Sequence, residues 1–189
     1  MERPALRPGA EARRVDGVGW GPQTPGVSTL RERLADVPSG GTLRWIGLRP
    51  ARGEAMREVD EARATVGRGL EGDRWRGRAN GKRQVSLIQA EHLPVIARLL
   101  GREAVPPALV RRNLVVGGVN LEALRRLRFR IGEVVLEGSG ACAPCAKMDD
   151  ALGPGGFIAM MGMGGIVARV LEGGRLRVGD PIEALGWPD

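Results

Sequence analysis

The 189-residue sequence has no tyrosine, two phenylalanines, one histidine and two cysteines. Proteins that grip single-stranded nucleic acid stack bases on exposed rings, so this shortage speaks against that class and makes nucleic acid an unlikely partner. Two cysteines are too few for a disulfide scaffold, and a reducing compartment keeps them as thiols. The opening MERPALRPGAEARR has basic residues but no apolar stretch behind them, so a secretory leader is not expected and the chain reads as cytoplasmic. No run of about 18 apolar residues occurs, which predicts no membrane span. Lysine is scarce too: Lys82 and Lys147 stand alone, and the net charge of +7 rests on arginine. Guanidinium groups suit phosphate and carboxylate, so an anionic ligand is a fair expectation beside a merely basic, solvated surface.

What remains is ordinary globular material, 42% apolar and 27% charged, enough for one domain. Residues 1–41, dense in Gly, Pro and charge, read as a tail that is partly ordered at most. A short helix after Ser28 would align Leu30, Leu34 and Val37, although a cap at Ser28 lacks the acidic partner of a capping box. Residues 42–189 read as the folded domain. Short apolar stretches recur there between Gly-rich turns: around Trp45, Val85 to Ile88, Leu114 to Val116, Phe129 to Glu137, and either side of Gly173-Gly174. Asn80-Gly81 and Gly179-Asp180-Pro181 are strong turn signals. The best helix follows Gln89, with Leu93, Ile96, Leu99 and Leu100 on one stripe and Pro94 near its start. This pattern predicts a mainly β, barrel-like fold with a few short helices, and no Gly-rich turn opens a helix as a dinucleotide fold requires.

The sharpest chemical feature is Cys142-Ala143-Pro144-Cys145. Two thiols at this spacing can hold a metal, exchange as a disulfide, supply one nucleophile beside a second thiol, or simply be buried. A closed zinc site lacks ligands, since His92 is the only imidazole and no second cysteine pair exists. Arginines gather in two places: Arg68, Arg74, Arg76, Arg78 and Arg83 in and beside one loop, and Arg111 and Arg112 before Asn113. They could converge as an anion site or form a solvated basic loop. Met160, Met161 and Met163 among glycines could wall a pocket or pack a core.

Taken together, GLEGDR at 69–74, KRQVSLIQAEHL at 82–93, RRNLVVGGVNL at 111–121, RIGEVVLEGSGACAPCAKM at 130–148 and GMGGIVARVLEGGRLRVGD at 162–180 resemble the MOSC family, named after the C-terminal domain of molybdenum cofactor sulfurases. The resemblance implies a MOSC-type β-barrel. It implies that Cys145, just after Pro144, is the functional thiol: a ligand to molybdenum, or the bearer of a persulfide, with Cys142 as its auxiliary. Arg68, Asp73, Arg74, Arg83, Arg112, Asn113 and Lys147 would then surround a phosphorylated pterin, the molybdenum cofactor. Members of the family include proteins that reduce small N-hydroxylated compounds. The resemblance therefore implies an oxidoreductase or sulfur-carrier role, served by a separate redox or sulfur-transfer protein, because the chain has no motif for a flavin, nicotinamide or iron–sulfur group.

Two departures stand out. Where relatives carry His or Tyr two residues beyond the Asp of Gly-Asp, this chain has Trp75, and where they carry polar residues it has Met161 and Met163. A thioether cannot donate a hydrogen bond, so these changes predict weaker anion binding at the mouth of the pocket. The alternatives are a non-catalytic anion- or nucleic-acid-binding module and a MOSC-fold protein that has lost its cofactor. Pyridoxal phosphate is not expected, since neither lysine has an evident aspartate to partner the pyridine nitrogen.

Overall fold

The computed structural model describes residues 29–188 apart from 38, 39, 76 and 80. The expected tail over 1–28, the cap at Ser28, Arg76 and the first residue of the Asn80-Gly81 turn lie outside the described residues. The described residues form eleven strands in order: β1 (Gly41–Leu48), β2 (Arg57–Val59), β3 (Glu61–Thr65), β4 (Gly69–Leu70), β5 (Val85–Gln89), β6 (Leu114–Gly117), β7 (Arg128–Ile131), β8 (Val134–Ala141), β9 (Ile166–Glu172), β10 (Gly174–Arg177) and β11 (Pro181–Gly186). Among the described residues four short α-helices accompany them: α1 (Leu30–Ala35) before β1, then α2 (His92–Leu99), α3 (Lys147–Leu152) and α4 (Gly156–Ala159).

Seven strands close on themselves in the order β1-β11-β7-β8-β9-β5-β6, with β6 returning to β1 and β2 added at its edge. All neighbours in the ring are antiparallel except β5 and β6. A parallel pair needs a crossover, and α2 lies in it. β10, β3 and β4 form a small second sheet. The mainly β barrel with a few short helices is thus the fold that the recurring short strands predict.

Alternation in the strands serves two cores. Leu43, Ile46, Val85, Leu87, Leu114 and Val116 point into the barrel with Phe129, Leu136 and Ile166. Trp45, Ile88 and Val115 face outward, where Ile96 and Ala97 of α2, Met148 and Leu152 of α3, and Ala159 and Met160 cover them. Strands buried on both faces read as unbroken apolar runs.

Two local expectations need correction. Leu99 is 63% exposed, and the buried residues of α2 are Ile96 and Ala97, with Leu93 and Leu100 partly buried beside them. The true face is thus 93, 96, 97 and 100, the i, i+3, i+4, i+7 set of a 3.6-residue repeat. α1 does have a capping box, but its cap is Thr29: the hydroxyl accepts from Glu32 N at 3.2 Å, and Thr29 N donates to Glu32 Oε2 at 2.7 Å. α1 meets the barrel's last strand region, where Trp187 Nε1 donates to the Arg31 carbonyl and the Arg31 guanidinium lies 5.2 Å from the indole centre. Among the described residues no helix is long and apolar enough to cross a membrane.

Candidate functional site

β8 ends at Ala141 and α3 begins at Lys147, and the turn between them carries both thiols on the rim of the barrel. Cys142 is buried, its N–H donating to the Gly165 carbonyl at 2.8 Å, whereas Cys145 is exposed. The turn lies so close to the start of β9 that a Cβ on Gly164 would overlap the Cys142 carbonyl. Gly165, at φ +83°, occupies backbone space that L side chains avoid.

Arg112 locks this arrangement from beneath. Only 5% exposed, it donates Nε to the Gly164 carbonyl at 2.8 Å, Nη1 to Val110 at 2.9 Å and Nη2 to Cys142 at 3.0 Å. Burial pushes its guanidinium below the usual arginine range, and the charges of Cys142 and Cys145 pull the other way. Three of its five N–H donors are spent on carbonyls, so its main work is to hold the thiol turn.

Asn113, fully buried, ties the underlying strands. Its Oδ1 accepts from Ser86 N, Ser86 Oγ and Arg49 Nη2, and its Nδ2 donates to the Gly47 carbonyl and Asp73 Oδ1. Asp73, its side chain 1% exposed, accepts Arg49 N and Nη2 at 2.7 Å and Nε at 3.0 Å. Burial pushes the Asp73 carboxyl up, but the hydrogen bonds and charge of Arg49 and the amide of Asn113 outweigh it, and the net direction is downward. Neither Asp73 nor Asn113 lines the thiol cavity; they fix Arg49, which does.

That cavity, about 400 Å³, is lined by Arg49, Arg74, Trp75, Arg83, Ser86, Arg111, Arg112, Lys147 and both cysteines. Six of these side chains are cationic and none is a carboxylate, so the electrostatic environment favours an anion. Of the residues singled out in the sequence, Cys142, Cys145, Arg74, Trp75, Arg83, Arg111, Arg112 and Lys147 meet here. Arg68 does not: it lines a neighbouring cavity with Thr65, Glu71, Asp73 and Trp75. Met161 and Met163 were expected at the pocket mouth and line no part of it. Met161 is 55% exposed, and Met163 packs on the helix-side core. Their segment meets the cavity wall indirectly, through the Gly164 carbonyl that accepts from Arg112. Sequence reading missed Arg49 and Ser86. An arginine closing a strand just before Pro50 was the available hint for the first, and nothing local marks the second. Arg111, at φ 56°, is the only non-glycine with positive φ among the described residues, a strained position at the cavity wall.

Among the described residues no group of three or more His, Cys, Asp or Glu could hold a metal. The MOSC domain model matches residues 55–183. No curated protein matches the sequence. Among solved structures, the YuaD protein of Bacillus subtilis is similar with a TM-score of 0.67 and 20% identity, covering 80% of this chain and 100% of that one. YiiM of Escherichia coli gives 0.60 and 24%, over 78% of this chain and 71% of that one. YiiM of Geobacillus stearothermophilus gives 0.60 and 15%, over 77% and 75%. These likenesses concern the fold.

Proposed function

The chain belongs to the MOSC domain family, and from that premise we propose that its cationic cavity takes a phosphorylated pterin carrying molybdenum, with Cys145 as the protein's thiolate ligand or as the bearer of a persulfide. The observation that carries this reading is one exposed thiol in a cavity with six cationic side chains and no lining carboxylate. The donor set fits the group: a soft thiolate suits molybdenum, guanidinium forks suit a phosphate, and a single protein ligand suffices when the pterin supplies the others.

Arg74, Arg83, Arg111 and Lys147 would hold the phosphate, and Cys145 would fix the metal. When bound, molybdenum supplies oxygen-atom transfer, which suits small N-hydroxylated substrates. The protein's own work is positional. Arg112 fixes the Cys142 carbonyl and so the turn that aims Cys145, while the Asp73 and Asn113 clasp on Arg49 sets the opposite wall. Cys142, buried beside it, serves as the auxiliary thiol. A separate redox or sulfur-transfer protein resets the site.

Elemental analysis for molybdenum, tungsten, copper and zinc tests this, on protein purified anaerobically from a host that makes the cofactor, beside a Cys145→Ser variant. Near-stoichiometric molybdenum with fluorescent oxidised pterin, the metal lost in the variant, is expected. Metal-free protein bearing sulfane sulfur on Cys145 would leave the carrier role alone. Protein with neither, whose affinity for anions falls with salt and ignores Cys145→Ser, would replace the reading with a non-catalytic anion-binding module.

A further inference from the structure

A second cavity, of about 460 Å³, lies against the first. It is lined by Arg49, Pro50, Ala51, Arg52, Arg74 and Trp75, and so shares Arg49, Arg74 and Trp75 with the thiol cavity. Trp75 also borders the third cavity, the one that holds Arg68. A half-buried indole at the junction of three openings is costly to leave there unless its ring has work to do, because such a ring normally seals itself against apolar neighbours.

Its position is built. The Arg74 N–H donates to the Arg49 carbonyl at 2.7 Å, and Asp73 clasps the Arg49 side chain, so the two residues before Trp75 are stapled to the end of β1. From the other direction the following loop brings its backbone against the benzo ring of the indole. A Cβ on Gly77 would overlap that ring, and one on Gly81 would stand 3.2 Å from it. Among the described residues Arg52 and Arg74 make no ion pair, while the Arg49 head is engaged by Asp73 and Asn113. The second cavity therefore offers an aromatic plane and two guanidinium groups.

We propose that this second compartment binds a planar aromatic ring bearing an anionic group. The ring stacks on Trp75, and Arg52 takes the phosphate or carboxylate, with Arg74 on the shared wall between this anion and the one in the thiol cavity. The thiol cavity is filled by the group proposed above, and this compartment gives the second reactant its own seat across a shared wall. The identity of that reactant as a substrate rests on the reading above; the binding itself does not, and it is measured without molybdenum, so the two can fail separately.

The test is calorimetric titration of the full chain with adenosine 5′-monophosphate and with naphthoate. Adenosine, which lacks the anion, and ribose 5-phosphate, which lacks the ring, are the comparisons. Binding that needs both ring and anion is expected, and the tighter of the two complete probes assigns phosphate or carboxylate. Trp75→Leu should weaken it about ten-fold and Trp75→Phe should restore most of the loss. Arg52→Gln, whose side chain lines only the second cavity, should weaken it several-fold. Arg83→Gln and Cys145→Ser, confined to the thiol cavity, should leave it within about two-fold. Loss on Arg83→Gln with indifference to Arg52→Gln would move the ligand into the thiol cavity and overturn the inference. So would equal binding of ribose 5-phosphate, full affinity in a folded Trp75→Leu, or no binding by either complete probe at millimolar concentration.

Discussion

Burial raises the proton affinity of the Asp73 carboxyl, and the three donors of Arg49 with the Asn113 amide lower it further than burial raises it. Its folded value therefore lies below the ordinary 3.8. A group depressed on folding adds stability that is fully present above its unfolded value and disappears as pH falls through the folded one. Asp73→Asn should cost about 2 kcal/mol near neutral pH, since it removes charge-assisted hydrogen bonds from a sheltered pair. That deficit should shrink well below pH 3.8; urea midpoints of both proteins across this range check it, and a constant deficit would deny the carboxylate its role. Asp73 entered the expected cofactor site only through the family resemblance, and its structural role had no trace in the sequence. Its partner Arg49 is 24 residues away, and only the folded strand end brings the two together. For the thiols the sequence left burial open, and the structure divides them, burying Cys142 and exposing Cys145.

Among elements, the thiol turn depends on the start of β9 as much as on its own residues. Gly164 permits backbone contact with Cys142, and its carbonyl takes the Arg112 Nε. Gly164→Ala should push the two segments apart and destabilise the fold by roughly 1–3 kcal/mol, the usual range for overpacking. It should also increase the reactivity of Cys142, which is 7% exposed in the native turn. Thermal melts and thiol counting by mass spectrometry read the two effects; an unchanged melt with a protected Cys142 would mean the turn stands alone. The strands were legible from alternation and turns. The short helices α3 and α4 were not, because six and four residues are too few to display a 3.6-residue repeat and neither has a side-chain cap. Met161 and Met163 misled for a related reason: their segment turns after α4, and neither side chain lines the thiol cavity.

At the scale of the whole molecule, the charge of +7 and the cationic cavity act on the same approaching solute. Iodoacetate and iodoacetamide share a leaving group and differ in charge, so their relative rates at Cys145 report the field there. Iodoacetate should gain several-fold at low salt and lose that gain near 1 M, where screening shortens to about 3 Å. A rate ratio indifferent to salt would mean that the cavity charge is already neutralised. The barrel was legible because both of its cores draw on the same strands; the order in which its strands pair was not, since pairing between strands distant in sequence leaves no local trace. That closure rests on a narrow seam, with Gly41 opposite Ile182 and Thr42 opposite Pro181. The Arg31 guanidinium and the Trp187 indole bring the two ends of the described chain together. Seen as a thread, the described chain comes back to where it started, and the thiol turn belongs to strands β8 and β9, which do not share that seam. Pro188, at the end of that thread, lines one cavity with Ala141, the residue before Cys142, so anything strung beyond it emerges beside the thiol turn.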